Sequence, residues 1–131
     1  MAMINTKLKN LHEKFSSSNM LRCKFTGSDL SGLLLKNNNV DSCDFSGSDI
    51  SSSRIQGSNL GNNIFKGCKL NETEFLKSNI TGCDFSGADF TGAAVKSGVF
   101  GKNTIADSVW KRASFADSQI ADIVFIGKLK D

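Results

Sequence analysis

Cys43-Asp44-Phe45-Ser46-Gly47-Ser48-Asp49-Ile50 returns forty residues later as Cys83-Asp84-Phe85-Ser86-Gly87-Ala88-Asp89-Phe90. Looser copies stand twenty residues to either side of the first, at Cys23-Lys24-Phe25-Thr26-Gly27-Ser28-Asp29-Leu30 and Asn63-Ile64-Phe65-Lys66-Gly67-Cys68-Lys69-Leu70. Each stretch holds apolar residues five apart. Five residues is therefore the unit, and twenty is the larger period.

Working outward, the frame holds from residue 16 onward. Every fifth residue from Met20 to Phe125 is apolar, 22 of 22. On a helix these side chains would spread around the circumference, and in a straight strand alternate ones would face opposite sides. The set is buried if the chain turns a corner after each unit, so that every centre points at a common axis. The residue two before a centre lies on the same side of an extended segment. It is nearly always small, as at Cys23, Ser28, Cys43, Ser48, Ser53, Ser58, Cys68, Thr73, Ser78, Cys83, Ala88 and Ala93. Small beside large suits a narrow, close-packed interior. Nine of the 12 glycines fall two residues after a centre, where a tight corner calls for glycine's conformational range. The chain has no proline, so no backbone donor is missing from a ladder of strands.

Ser48-Asp49-Ile50-Ser51-Ser52, Ser58-Asn59-Leu60-Gly61-Asn62, Ser78-Asn79-Ile80-Thr81-Gly82 and Ala88-Asp89-Phe90-Thr91-Gly92 are units in which a small residue and Asp or Asn precede the apolar centre. The pattern resembles the pentapeptide-repeat family, whose unit is written A-(D/N)-L-X-X. The resemblance spans residues 16–127. It implies an all-β solenoid, a right-handed quadrilateral parallel β-helix with four units per coil. The twenty-residue echo gives four sides independently, and right-handedness follows the general preference of parallel crossovers. Twenty-two units make about five and a half coils, roughly 26 Å tall at the strand spacing of a sheet. One interior column is then Phe25, Phe45, Phe65, Phe85 and Phe125, interrupted by Ile105. A second runs Met20, Val40, Leu60, Ile80, Phe100, Ile120, and Trp110 sits above Phe90 in a third.

Residues 1–15 follow a different period. Ile4, Leu8, Leu11 and Phe15 form one stripe on a helix. A helix this short is marginal in water by itself. It is expected to cap the N-terminal end of the tower, covering an edge open to strand pairing. Residues 128–131 form a C-terminal tail. Two departures stand out. Leu33 is large where a small residue belongs, so the Leu33-Leu34-Leu35 run is expected to bulge or meet something. After residue 98 the second inward position degrades to Gly98, Asn103 and Ile123.

The net charge of +3 comes from the two ends. Residues 16–125 hold 11 Lys/Arg and 11 Asp/Glu, a balance of zero. A neutral tower has no strong footprint for nucleic acid or an anionic membrane. No apolar run approaches the roughly 20 residues of a membrane helix, and the N-terminus lacks the apolar stretch of a secretory signal. A cytoplasmic protein is expected.

Residues with catalytic or ligating potential are few. His12 stands alone on the polar side of the helix stripe, with no second histidine for a zinc or acid–base site. Cys23, Cys43 and Cys83 share one inward column and Cys68 lies in the next. One coil of separation permits a Cys23–Cys43 bridge, but parallel side chains in register give it poor geometry. The four are read as buried free thiols filling space, as in a reducing compartment. No cofactor or metal is expected, and the protein is read as non-enzymatic.

Two surfaces are candidates for partner binding. Asp29, Asp44, Asp49, Glu72, Asp84 and Asp89 are assigned to two neighbouring sides and the corner between them, a candidate acidic docking corner. The competing reading is that Asp here supports the turn by local hydrogen bonding. At the C-terminal end Val99, Val109, Ala121, Val124, Ile126 and Leu129 are outward and apolar, which suggests self-association. Some members of the resembled family dimerise through their C-terminal coils, so a homodimer there is the expected quaternary state. The favoured function is a rigid protein-interaction or structural module with an unspecified protein partner. The resemblance also offers a DNA mimic that binds DNA gyrase or topoisomerase IV and confers quinolone resistance. That role needs a strongly anionic surface, and the neutral repeat region weighs against it. A secreted effector is the third alternative.

Overall fold

The computed structural model describes residues 19–121. The expected cap helix with His12, the 128–131 tail, and the candidates Val124, Phe125, Ile126 and Leu129 lie outside the described residues.

The described chain is a four-sided parallel β-solenoid of about 5 turns. Eleven three-residue strands mark two of its sides: β1 (Asn19–Leu21), β2 (Leu34–Lys36), β3 (Asn39–Asp41), β4 (Arg54–Gln56), β5 (Asn59–Gly61), β6 (Glu74–Leu76), β7 (Asn79–Thr81), β8 (Ala94–Lys96), β9 (Val99–Gly101), β10 (Ser114–Ala116) and β11 (Gln119–Ala121). The odd-numbered strands stack as one six-stranded parallel sheet and the even-numbered ones as a five-stranded parallel sheet. Met20 pairs with Val40, Leu60 with Ile80 and Leu35 with Ile55, so the register is one twenty-residue coil throughout. The other two sides pair through single parallel bridges. One runs Lys24, Asp44, Ile64, Asp84, Thr104 and the other Asp29, Asp49, Lys69, Asp89, Val109.

The two kinds of side differ in how they end. After the Phe25 and Leu30 columns the chain closes a hydrogen-bonded turn at once, with the Ser48 N–H on Phe45 O at 3.0 Å and the Leu33 N–H on Leu30 O at 3.1 Å. No room is left for a three-residue strand there. Among the described residues every corner, of either kind, puts the residue two after the centre in the left-handed region. Eight of these residues are glycine, and twelve are not, including Arg22 (φ 54°), Ser52 (56°) and Lys77 (50°). A side chain costs about 1 kcal/mol in that conformation. The glycine excess in the sequence is thus one part of a rule that holds at all corners.

From Met20 to Ile105 every fifth residue is buried. Phe25, Phe45, Phe65 and Phe85 stack with centroids 5.0, 4.9 and 4.9 Å apart and rings within 9° of parallel. Phe90 stacks on Trp110 at 3.9 Å, and Phe100 meets Phe85, Phe90, Trp110 and Phe115 to close the upper core.

The second inward column is more than a filler. Its side chains bond the coil below, accepting from one backbone N–H and donating to a C=O three residues earlier. Asn63 Oδ1 accepts the Cys43 N–H at 2.9 Å while its Nδ2 donates to Val40 O at 3.0 Å. Ser53 does the same with the Leu33 N–H (3.0 Å) and Leu30 O (3.2 Å). At the corners that follow the strands, as at Cys43, the inward N–H has only this side-chain partner, and leaving it bare would cost about 1–3 kcal/mol; at the turn corners, as at Leu33, the side chain adds to a bond already made within the turn. The column must be small and also polar at many places.

This overturns two expectations. Asn103 is no degradation: its Oδ1 takes the Cys83 N–H at 2.9 Å and its Nδ2 reaches Ile80 O at 3.0 Å, repeating the Asn63 arrangement two coils up. Gly98 is required, since an added Cβ would lie 2.2 Å from Ser78 O. The Leu33 bulge is also absent. Leu33 is buried, and its carbonyl accepts the Arg54 N–H at 2.8 Å in normal register. Ser53, Thr73 and Ala93 above it are small enough to leave the volume.

Gly98→Ala is expected to destabilise the fold by on the order of 2 kcal/mol or more, because backbone meets backbone at that site; a midpoint in urea within error of wild type would refute the close approach. Phe65→Asp is expected to abolish cooperative thermal unfolding by putting an unpaired charge into the ring stack, and a folded, cooperative variant would refute the column.

Candidate functional site

The repeat places Asp two residues before Ser or Thr at five positions, and the structure turns each pair into a clip. Asp44 Oδ1 accepts the Ser46 N–H at 2.9 Å and the Ser46 hydroxyl at 2.6 Å. Asp84 holds Ser86 in the same way at 3.0 and 2.6 Å, and Asp29 holds Ser31 at 3.1 and 2.7 Å. Asp49 with Ser51 and Asp89 with Thr91 complete the set. All five carboxylates are half-buried. They belong to two adjacent sides, Asp44 and Asp84 on one and Asp29, Asp49 and Asp89 on the next, and the corner between carries Gly27, Gly47, Gly67 and Gly87. The carboxylates therefore both support the turns and stand in fixed positions flanking a glycine ridge.

Basic residues interrupt the array. Lys66 Nζ lies 3.8 Å from Asp84 Oδ2 at the surface, a contact of small energetic weight. Lys24 pairs in register with Asp44, and Lys69 separates Asp49 from Asp89. Glu72 lies apart, at the following corner with φ 59°, its carboxylate over Gly92, where an added Cβ would meet Oε1. Asn37 covers Gly57 and Asn62 covers Gly82 in the same manner.

Burial acts to raise the pKa of Asp89, but hydrogen bonds from Thr91 and Asn71 outweigh it and hold the carboxyl below its ordinary range. A depressed carboxyl adds stability above the ordinary carboxylate range, and the contribution is lost as the pH falls through the folded value.

Of the apolar C-terminal candidates, Val99 and Val109 are half-buried and stand two sides apart, on the six-stranded sheet and above Asp89 respectively. Ala121 ends β11. The structure exposes two inward centres instead, Phe115 at 37% and Ile120 at 50%. A reading that assumed every centre to be covered missed them.

The cysteines are buried, unbridged thiols. Burial pushes Cys43 and Cys83 up to about 11 and Cys68 to about 12, so each stays protonated at neutral pH. Cys68 Sγ donates to Phe45 O at 2.9 Å, in the role serine plays elsewhere in the column. Among the described residues no cluster of three His, Cys, Asp or Glu could hold a metal, and no helix is long and apolar enough to cross a membrane.

One surface feature escaped the sequence reading. Asn19, Asn39, Asn59 and Asn79 precede their centres at one-coil intervals and form an exposed amide ladder on the six-stranded sheet. Nδ2 of Asn39, Asn59 and Asn79 donates to the Oδ1 below at 3.0, 2.9 and 2.9 Å. Four asparagines at a strict twenty-residue period were the available signal. Beside the ladder, over Gly61, runs a groove of about 590 Å³.

Thr91→Val is expected to raise the Asp89 pKa toward the ordinary range by removing the hydroxyl donor; carboxyl titration by NMR checks it, and an unchanged pKa would show that the clip does not govern this charge.

Residues 65–93 match the model of pentapeptide repeats, in 8 copies. No curated protein sequence matches the chain. Among solved structures, a pentapeptide repeat protein (Rfr23) from the cyanobacterium Cyanothece 51142 superposes with a TM-score of 0.69 at 11% identity, covering 95% of this chain and 91% of that one. A trypsin-treated variant of QnrB1, a plasmid-mediated fluoroquinolone resistance protein, gives 0.51 at 16% identity, covering 90% and 67%. At these identities the likeness speaks for the fold. Residues 65–93, at the centre of an unbroken five-residue frame, are thus pentapeptide repeats by sequence, and the chain as a whole shares the fold of pentapeptide repeat proteins.

Proposed function

We propose that this chain is a non-enzymatic protein-interaction module of the cytoplasm, whose aspartate rows dock a basic surface on a protein partner. The observation that carries this reading is the hydroxyl clip on each of the five aspartates. A carboxylate already held by an N–H and an O–H loses little side-chain freedom on binding, which lowers the cost of association. The stacked core keeps the rows at coil spacing, so they meet a partner as a rigid array. Such charge steers encounter and sets register more than it adds raw affinity.

The same rows favour a second reading, a DNA mimic directed at DNA gyrase or topoisomerase IV. A fold shared with a fluoroquinolone resistance protein is consistent with it. Lys24, Lys66 and Lys69 within the rows, and the charge balance of the repeat region, weigh against it, because phosphate-like charge density would have to drive the contact.

Affinity capture at low and moderate salt tests both readings. The five-fold variant with Asp29, Asp44, Asp49, Asp84 and Asp89 changed to Asn keeps a clip acceptor at each place and is expected to remain folded. A stoichiometric partner should elute with wild type, weaken with salt and be lost from the variant. Retention by the variant overturns the docking assignment, and salt-sensitive enrichment of gyrase or topoisomerase IV puts the second reading first.

A further inference from the structure

We propose that the groove on the six-stranded sheet binds an extended peptide segment carrying a basic side chain, laid along the axis of the tower. This rests on the interaction-module reading but concerns a different side from the aspartate rows. One wall of the groove is the amide ladder of Asn39, Asn59 and Asn79, ending at Val99. The other is Asp41, Gly61 and Thr81. The walls are two residues apart on one strand, about 7 Å, and the groove covers three coil steps, roughly 15 Å. That width takes one extended chain and is too narrow for an α-helix about 10 Å across. Its length corresponds to four or five extended residues.

The lining chemistry narrows the occupant further. A carboxamide carries two N–H donors and two acceptor lone pairs. The ladder uses one of each on Asn59, which leaves a donor and an acceptor, the pair that a peptide backbone needs. Because ladder bonds already fix these side chains, binding costs them little rotamer freedom. Among the described residues Asp41 is the one charged residue lining the groove, exposed, with the Ser42 hydroxyl at 2.7 Å. It complements a lysine or arginine and repels phosphate, which disfavours nucleic acid. Among the described residues no aromatic ring lines the groove to stack on a sugar. Gly61 opens a pit between Asp41 and Thr81 that admits one side chain.

Gly61 also makes the test clean. An added Cβ there meets nothing within 4 Å, so Gly61→Val fills the pit while suiting a strand. The probes are acetyl-Val-Lys-Val-Ala-Val-amide, its Glu counterpart in place of Lys, and cellopentaose, each titrated into labelled full-length protein and followed by the Nδ2 signals of Asn39, Asn59 and Asn79 in NMR. The lysine peptide is expected to shift these signals and the glutamate peptide to leave them in place. Gly61→Val should abolish the shift, and Asp41→Asn should weaken binding about threefold, the worth of an exposed ion pair. Signals that stay still with both peptides, or that respond equally to both, overturn the proposal, as does a response to cellopentaose alone. Capture through the aspartate rows reads other sides of the tower, so a silent groove with intact capture sinks this inference and leaves the module reading standing.

Discussion

Turning a chain through a right angle every five residues takes the backbone N–H and C=O inside each corner out of the strand ladder, and the structure is built around that difficulty. Strand pairing between coils satisfies most of the backbone, but the corner N–H and C=O that face inward have no strand partner. Side chains of the coil above supply one. Ser53 reaches the Leu33 N–H and Leu30 O, and Asn63 and Asn103 do the same for their own lower coils. The apolar centres then pack in single file beside this polar seam. Burial provides the driving force, yet alanine throughout the seam would leave the corners that follow the strands unpaired, since the Cys43 N–H and Val40 O have their partners in Asn63, whereas the other corners would keep their turn bonds.

The same requirement explains why cysteine appears where serine does. A thiol is close in size to a hydroxyl and retains a weak donor, so Cys68 can answer Phe45 O much as Thr73 answers Ile50 O. Raised thiol pKa values follow from burial and need no redox role. On the outside, the aspartate clips perform an analogous service for the turn, with residue i+2 as the donor. Inner seam and outer clip together fix the corner from both sides.

Much of this was legible in the residues, because a five-residue period with apolar centres admits few solutions and the twenty-residue echo fixes four sides. What escaped has physical causes. Volume can be read from a residue list while a hydrogen bond to a residue twenty positions away cannot, so the second inward column reads as small and Asn103 as decay, although its amide is what the corner below requires. Glycine marked corners, yet Arg22, Glu72 and Lys77 occupy the left-handed region equally, and nothing in their chemistry announces it. The aspartate positions were legible, and so was their local bonding, but Glu72 was grouped with them on charge alone although it turns a different corner. The asparagine ladder was visible as a period and went unread because each Asn fits the family unit without further explanation.

The four sides of the tower carry three chemistries on one repeating core: an amide ladder on one, aspartate rows on two, and the mixed Arg54 and Glu74 face on the last. Because the core repeats every five residues while the surface repeats every twenty, the two respond differently to a change in length. Loss or gain of twenty residues makes the tower one storey shorter or taller and leaves every face in line. Loss or gain of five gives the rest of the molecule a quarter turn, keeping apolar centres inside while splicing the amide face onto a carboxylate one. Growth by whole storeys preserves what each wall displays, and this makes twenty residues the natural quantum of change for the chain.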